Sequence, residues 1–371
     1  MPHRVRAGSV MHVTHSLQRG GAEHFVRSLA HALDQIGVPT TVLTIQNDVS
    51  ELGNVPVLTA DRHSRYDLGF FFRMVRLIRV VRPSVVHTHG YHGKLWGRLA
   101  ARVAGVKNII HTEHNSAFRG QCLQSVVNAA LHRRTDAIVT FSDVLADRLV
   151  SEDRVPRERI VVIPNGVPQP ARRLRWPVPR IDPPVHENSK PILHVGRLTA
   201  VKNQRLAIEA LRELCAMRPA QRFCLLLVGS GPDEGELRQL ALVLGVADRV
   251  RFLGHRTDVE NLMRRSDVLL ITSRNEAMPL AALEAMYAGI PIVTTPWKGA
   301  SELLEHGRLG TIAPAFDARS LSLALCKAFE DRATAMRCAD AAFAAARSRF
   351  DIRLTAQKYA ALYARYDVVA R

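Results

Sequence analysis

The feature that most constrains this chain is an alternation of short apolar runs with amphipathic helical patterns, which runs its course twice. Alternation of this kind marks βαβ units, because parallel strands need long crossovers and the helices of those crossovers cover the sheet. In the first half, strands are expected at Val10–Thr14, Thr41–Ile45, Val85–Thr88, Asn108–His111, Ala137–Thr140 and Ile160–Ile163, with helical patterns such as Ala22–Gly37 and Phe70–Val81 between them. Residues 168–190 then interrupt the scheme with six prolines and five basic residues. Proline removes a backbone donor and fixes φ, so this stretch reads as a surface linker rather than a helix or a central strand. The scheme restarts with strands expected at Pro191–Val195, Arg222–Val228, Val250–Phe252, Val268–Ile271, Pro291–Thr294 and Thr311–Ile312. An Ala/Arg-rich helix at Thr334–Arg349 and a last helical pattern at Arg353–Tyr366 follow. The expected fold is α/β: two Rossmann-like, doubly wound parallel-sheet domains facing a cleft. The N-terminal domain spans 1–167, the linker 168–190 and the C-terminal domain 191–350. A C-terminal helix in 351–371 is placed to pack back on the N-terminal domain.

Composition narrows the function classes. No run of 18 or more uncharged apolar residues occurs, so no spanning helix is expected. The first residues, Met1-Pro2-His3-Arg4-Val5-Arg6, lack the apolar core of an export signal, which points to the cytoplasm. The five cysteines, Cys122, Cys215, Cys224, Cys326 and Cys338, form no Cys-x-x-Cys pair, which argues against a disulfide framework or a zinc cluster. Sixteen histidines occur without an H-E-x-x-H motif, and no metal site is expected. The net charge of +17 predicts attraction to polyanions: nucleotide diphosphates or anionic lipid. Nucleic acid is not expected as a partner, since no reader motif or interleaved aromatic–basic run is present.

In doubly wound sheets, ligands bind beyond the carboxyl ends of the strands, where loops lead into helices. Four motifs sit there. After Val268–Ile271 comes Ser273-Arg274-Asn275-Glu276-Ala277-Met278-Pro279-Leu280-Ala281-Ala282-Leu283-Glu284. Glu276 is expected in the loop, at the N-terminus of the following helix, suited to sugar hydroxyls, with free amides along Ala277, Met278, Pro279 and Leu280 suited to phosphate or hydroxyl oxygens. Glu284, about two turns on, suits the paired hydroxyls of a ribose. The second motif, His194-Val195-Gly196-Arg197-Leu198-Thr199-Ala200-Val201-Lys202-Asn203, places two cations where a diphosphate could be neutralised, Arg197 as a fork and Lys202 as a point charge. The third, Gln18-Arg19-Gly20-Gly21-Ala22-Glu23, sets Gly20 and Gly21 before a helix, where unpaired amides can meet an anion. It is not G-x-G-x-x-G, so a nicotinamide dinucleotide is not indicated. The fourth, His111-Thr112-Glu113-His114-Asn115, offers His114 as a donor to a sugar hydroxyl or phosphate, with Glu113 placed to orient it; His87-Thr88-His89-Gly90 is a similar pair. Each motif also has a plain reading as caps, turns or satisfied core histidines.

Taken together the pieces resemble the GT4 family of retaining glycosyltransferases, which have the GT-B fold. The resemblance runs from Gly20-Gly21-Ala22-Glu23 to the last helix. Ile163-Pro164-Asn165-Gly166-Val167, Gly196-Arg197-Leu198 with Lys202-Asn203, Leu227-Val228-Gly229-Ser230-Gly231-Pro232, Val250-Arg251-Phe252-Leu253-Gly254, the Glu276/Glu284 pair and Pro291-Ile292-Val293 follow in family order. The resemblance implies that Arg197 and Lys202 bind the donor diphosphate. Glu276 would contact the donor sugar, Glu284 the ribose, and Arg251–His255 would lie near the base. Gly20 and Gly21 would approach the phosphates, and His114 the sugar. It also implies a UDP-sugar or GDP-sugar donor, no metal or other cofactor, and a glycan or lipid-linked acceptor in envelope polysaccharide synthesis. The chain departs from the usual family pattern at Ala277, at Pro168 and in Lys298-Gly299-Ala300-Ser301-Glu302. Two other readings share the architecture: a nucleotide-sugar epimerase, and a catalytically inactive binding scaffold.

Charge suggests where such an enzyme would work. Residues 1–167 hold 21 Lys+Arg against 13 Asp+Glu. Arg73, Arg76, Arg79 and Arg82 recur every third residue after Phe70-Phe71-Phe72, so at about 100° per residue they share one half of a helix opposite Met74, Leu77, Ile78 and Val81. An arginine face with nearby aromatics suits an anionic membrane surface, and peripheral docking at the inner face of the cell membrane is the expectation.

Overall fold

The computed structural model describes residues 9–18, 20–46, 51–64, 66–90, 93–114, 131–169 and 188–368. The chain forms two compact units, one of Met1–Pro168 with Phe350–Arg371 and one of Gln169–Arg349. Cys122, Arg19, Asn115 and most of the proline-rich stretch lie outside the described residues, and the four described cysteines are free thiols.

The first unit contains β1 (Val10–Thr14), β2 (Thr40–Thr44), β3 (Val57–Thr59), β4 (Val85–His89), β5 (Asn108–Thr112), β6 (Ala137–Thr140) and β7 (Ile160–Val162). They form one sheet in the order β3-β2-β1-β4-β5-β6-β7, with every pairing parallel. The central strands are buried along their length, as expected of parallel strands covered on both faces. One face packs Met11, Val13 and Val86 against Phe70, Met74 and Ile78 of the helix Gly69–Val81. Val26 and Ala30 of the helix Gly21–Gln35 pack with Val42 in a second cluster. The edge strand β3 was not expected: it is three half-buried residues behind Pro56 and carries neither a buried run nor an alternation.

The last helix, Ile352–Ala364, packs against Gly21–Gln35 in this first unit. Val167 donates to Phe350 O (2.9 Å) and accepts from Ile352 N (3.1 Å), so the end of the first run and the returning chain are stitched together. Gly166 permits that approach, because a Cβ there would stand 2.8 Å from Ile352 Cα. Tyr359 and Tyr363 of the returning helix are fully buried beneath the sheet's histidines.

The second unit holds β8 (Ser189–Val195), β9 (Arg222–Val228), β10 (Val250–Gly254), β11 (Val268–Ile271), β12 (Ile292–Thr294) and β13 (Thr311–Ile312), all parallel, in the order β10-β9-β8-β11-β12-β13. Its core joins Ile192, Leu225, Leu227 and Leu270 to Leu206, Leu211 and Leu214 of the helix Gln204–Met217. β8 begins two residues before the expected start, so Ser189 and Lys190 belong to the strand rather than to the linker. Pro191 is tolerated because the first three residues pair with β9 only, while pairing with β11 starts at Ile192.

Candidate active site

The strand order reverses between β1 and β4 in the first sheet and between β8 and β11 in the second. At such switch points the loops leaving the strands diverge, and the gap between them takes ligands. The sequence motifs converge on these two points.

In the second unit, β8 leads into Gly196, whose amide donates to Val228 O (2.9 Å), while Leu198 N donates to Ser230 O (3.1 Å). The loop after β8 is thereby strapped to the loop after β9. Gly229 and Gly231 make the strap possible: a Cβ on either would lie 2.1 Å from a carbonyl oxygen, of Gly196 and Leu198 respectively. The loop after β11 joins from the other side. Arg274 N donates to Val201 O (2.9 Å), Thr272 Oγ1 donates to Lys202 O (2.8 Å), and Lys202 Nζ forms an ion pair with Glu276 Oε1. Thr272 spends its one hydrogen on Lys202, so it accepts from His194 Nε2 (3.0 Å). Burial lowers the His194 pKa to about 4, which keeps the ring neutral beneath the cations.

Glu276 also accepts from Ser273 Oγ (2.6 Å) at the same oxygen. Its Oε2 takes no hydrogen bond from the described residues and is available to hydroxyl donors. Arg197 is exposed, its carbonyl held by Nε2 of the buried Gln204 (2.9 Å), so the backbone is fixed and the guanidinium is at liberty to meet an anion. Glu284 lies half-buried in the helix Leu280–Ala288, and burial, with a smaller push from the Glu260 carboxylate, raises its pKa to about 7. Such a carboxylate gains from hydroxyl donors.

One expectation needs correcting. Glu276 is not at a helix start: the helix begins at Leu280, with Pro279 extended (φ −68°, ψ 124°) at its cap. The residue before a proline is driven out of the helical region, and Pro279 has no amide hydrogen. Of the amides expected between Ala277 and Leu280, Pro279 thus supplies none, and Ala277, Met278 and Pro279 are buried under the loop. Glu276 is held instead by Ser273 and Lys202.

In the first unit Gly20, at φ 123°, caps the helix Gly21–Gln35, and both Gly20 and Gly21 are exposed. A Cβ at Gly20 would meet Glu23 Oε2 at 2.2 Å, so the Glu23 carboxylate folds back over this helix start, where a phosphate would have to displace it. Beside it, His12 on β1 and His87 and His89 on β4 form a buried cluster. His12 Nδ1 lies 2.9 Å from His89 Nε2, and His89 Nδ1 lies 3.1 Å from His114 Nε2. His87 bonds Tyr363 OH (2.5 Å) and Thr112 Oγ1 (2.7 Å), and Thr112 also meets Tyr359 OH (3.1 Å). His114 is half-buried, edge-on to Phe25 and Phe141, and its pKa is lowered by burial to about 3. The partner of its Nε2 is His89, not Glu113 as expected; Glu113 pairs with Lys94 (2.5 Å) and lies 3.7 Å from His111.

One nitrogen each of His12, His87 and His89 lie within 4.8 Å of one another, the spacing of a metal site. Yet both nitrogens of His87 and both of His89 already hold hydrogen bonds, and the three include no carboxylate to offset a cation. The geometry fits a hydrogen-bonded network.

Residues 19–169 match the model of Glycosyltransferase Family 4 and residues 180–344 that of Glycosyl transferases group 1. A glycogen synthase of Mycobacterium tuberculosis is 30% identical over 315 residues, covering 81% of this chain and 73% of its own. The chain belongs to the group 1 glycosyltransferases of family 4. A UDP-Gal:alpha-D-GlcNAc-diphosphoundecaprenol alpha-1,3-galactosyltransferase of Escherichia coli is 27% identical over 293 residues, 75% of this chain and 74% of that one. HepE of Anabaena, solved with UDP-glucose, superposes with a TM-score of 0.81 at 22% identity, over 96% of this chain and 99% of that chain. That likeness shows the GT-B fold of the glycosyltransferase.

The motifs assigned no role to Ser273, Thr272, His12, Thr112, Tyr359 or Tyr363. Of these, Ser273 carried a usable signal, the Ser-x-x-Glu spacing that lets a hydroxyl reach a carboxylate three residues on. The arginine-bearing helix Gly69–Val81 also differs from expectation: Arg73 is tied to Ala60 O (2.7 Å), Asp61 O (2.8 Å) and Asp67 (2.6 Å), and Phe70 is buried. Arg79 donates to Val103 O (2.9 Å), and Arg76, Arg79 and Arg82 remain exposed.

Proposed function

We propose that this glycosyltransferase is a retaining enzyme. It moves a sugar from a nucleoside-diphosphate sugar, UDP-linked in preference to GDP-linked, to a glycan or lipid-linked acceptor of envelope polysaccharide, without a metal ion. The observation that carries the reading is the clasp of the two switch-point loops in the second unit, where Lys202 and Glu276 are paired and Arg197 is unspent. Arg197 and Lys202 bind the diphosphate and stabilise its charge as it leaves. Glu276 takes sugar hydroxyls at Oε2, Glu284 takes the ribose, and His114, Gly20 and Gly21 keep the roles the resemblance implies. The bond from the sugar's anomeric carbon to the phosphate oxygen breaks as the acceptor oxygen bonds the same face, and the acceptor's proton passes to the leaving phosphate. The relatives named above, one a UDP-galactose-using galactosyltransferase with a diphosphoundecaprenol acceptor, support the donor and acceptor classes. The test is transfer from UDP- and GDP-sugars to a lipid-diphosphate glycan acceptor in the presence of EDTA, with the product's anomeric configuration read by NMR. Transfer with retention is expected. Inverted product, or full loss in EDTA restored by Mn²⁺, would contradict it.

The same reading places the enzyme at an anionic phospholipid surface. Around the helix Gly69–Val81, Tyr66, Leu68, Phe72, Val80 and Val103 are exposed large hydrophobic residues, at 75%, 64%, 70%, 70% and 52% respectively. Phe72 and Val80 line a surface depression of about 640 Å³ together with Arg76, Arg79 and Arg82. Exposed apolar side chains interspersed with arginines suit a headgroup–acyl boundary, and no helix among the described residues is long and apolar enough to cross a membrane.

A further inference from the structure

His12, His89 and His114 form a row of imidazoles linked head to tail: His12 Nδ1 to His89 Nε2 at 2.9 Å, and His89 Nδ1 to His114 Nε2 at 3.1 Å. His12 and His89 are 0% and 1% exposed, whereas His114 is half-buried, so the row leads from the sheet interior toward the surface. A neutral imidazole has one N–H, so each link has one donor and the protons along the row must all point the same way. Two directions are possible, and the inner end chooses between them. His12 Nε2 is buried and has no hydrogen-bond partner among the described residues. If the row pointed inward, that atom would carry an N–H with nothing to receive it, and orphaned buried N–H groups are the rarer and costlier kind. If it points outward, His12 donates from Nδ1, His89 accepts at Nε2 and donates from Nδ1, and His114 accepts at Nε2. His114 then carries its proton on Nδ1. That nitrogen holds no hydrogen bond among the described residues, and the ring it belongs to is only half-buried.

We infer that His12 and His89 are positioning residues: they set the proton of His114 on Nδ1 and so make this ring a hydrogen-bond donor to a substrate oxygen, hydroxyl or phosphate. The neighbouring groups hold the row in place without joining it. His87, whose ring stands 4.2 Å from that of His89, is bound at both nitrogens by Tyr363 and Thr112, while Phe25 and Phe141 meet His114 edge-on. His111 bonds Thr88 Oγ1 (2.9 Å) and lies 3.7 Å from Glu113, which Lys94 holds. All four histidines nearest the row's proton, His12, His87, His89 and His114, are held below their ordinary pKa by burial first, so the direction persists across neutral pH.

The role in transfer rests on the functional reading above; the placement of the proton does not, and the experiment separates them. In protein with ¹⁵N-labelled histidine rings, long-range ¹H–¹⁵N spectra report which nitrogen of His114 is protonated, with His114→Gln giving the assignment. The expected result is a protonated Nδ1 and a bare Nε2, unchanged between about pH 6 and 8. His89→Asn keeps a donor where Nδ1 stood and retains that pattern, while His89→Leu removes it and lets His114 move its proton to Nε2. Transfer is expected to follow the same order: kcat/KM falls roughly tenfold in His89→Leu, the worth of one hydrogen bond, and recovers most of the way in His89→Asn. A bare Nδ1 in the unaltered protein overturns the direction, and an unmoved proton in a folded His89→Leu overturns the positioning role. The expected proton in a protein that transfers no sugar supports the row and contradicts the functional reading.

Discussion

Glu276 accepts from Lys202 and Ser273 at one oxygen, and the other takes no hydrogen bond from the described residues. On the proposed role, Glu276→Ala is expected to abolish transfer while the protein stays folded with its melting temperature lowered by a few degrees, since a partly buried charged hydrogen-bonded pair contributes roughly 1.5–3 kcal/mol. Near-normal turnover in this variant would remove Glu276 from the chemistry. Glu284 carries a second prediction. Its pKa stands at about 7 before ligand binding. Hydroxyl donors of a ribose favour the ionised form and lower that value, so binding releases a proton when the pH is below 7. Affinity for UDP should accordingly rise about tenfold per pH unit up to about pH 7 and level off above it, the slope for one linked proton. Titration calorimetry from pH 5.5 to 8 checks this, and Glu284→Gln should flatten the profile. A profile in the unaltered protein as flat as the variant's would take Glu284 out of the ribose site.

At the scale of elements, several strands were legible because buried parallel strands leave apolar runs: β1, β6, β9 and β11 start and end where the sequence places them. What escaped depended on partners far along the chain. β3 exists because β2 offers it an edge, not because Val57–Thr59 carries a pattern. The histidine row needs β1, β4 and the segment after β5 side by side, and Tyr363 and Tyr359 hydrogen-bond the neighbouring His87 and Thr112 across 276 and 247 positions of sequence. Helix periodicity likewise could not show that Arg73 faces backbone carbonyls while Arg76 faces solvent. The glycines were legible as motif letters, and their reason is steric. Gly231→Ala would drive a methyl group into Leu198 O, so it should destabilise the protein by about 1–3 kcal/mol, in the range of overpacked sites, and weaken nucleotide binding by shifting the loop that carries Arg197. Urea unfolding and UDP affinity measure the two effects. A variant unchanged in both would show that the strap between the loops has slack.

On the scale of the whole molecule, the excess of basic residues and the Phe72–Val80 surface predict salt-sensitive membrane docking. Co-sedimentation with phosphatidylglycerol vesicles should be seen at low ionic strength, fade with added salt over the range where the Debye length shrinks from about 30 to 10 Å, and drop when Arg76, Arg79 and Arg82 become glutamine. Equal binding to neutral phosphatidylcholine vesicles, or none at low salt, would leave docking without support. The central claim is more local: a nucleoside diphosphate sits at the β8/β11 switch point, held by Arg197 and Lys202. Calorimetric titration of UDP into the metal-free protein tests it most directly. The account predicts binding by the unaltered protein, a loss of about 10- to 100-fold in affinity for Arg197→Ala and for Lys202→Ala, as for charge-assisted contacts to phosphate, and a larger loss in the double variant. UDP affinity undiminished in a folded double variant would contradict it.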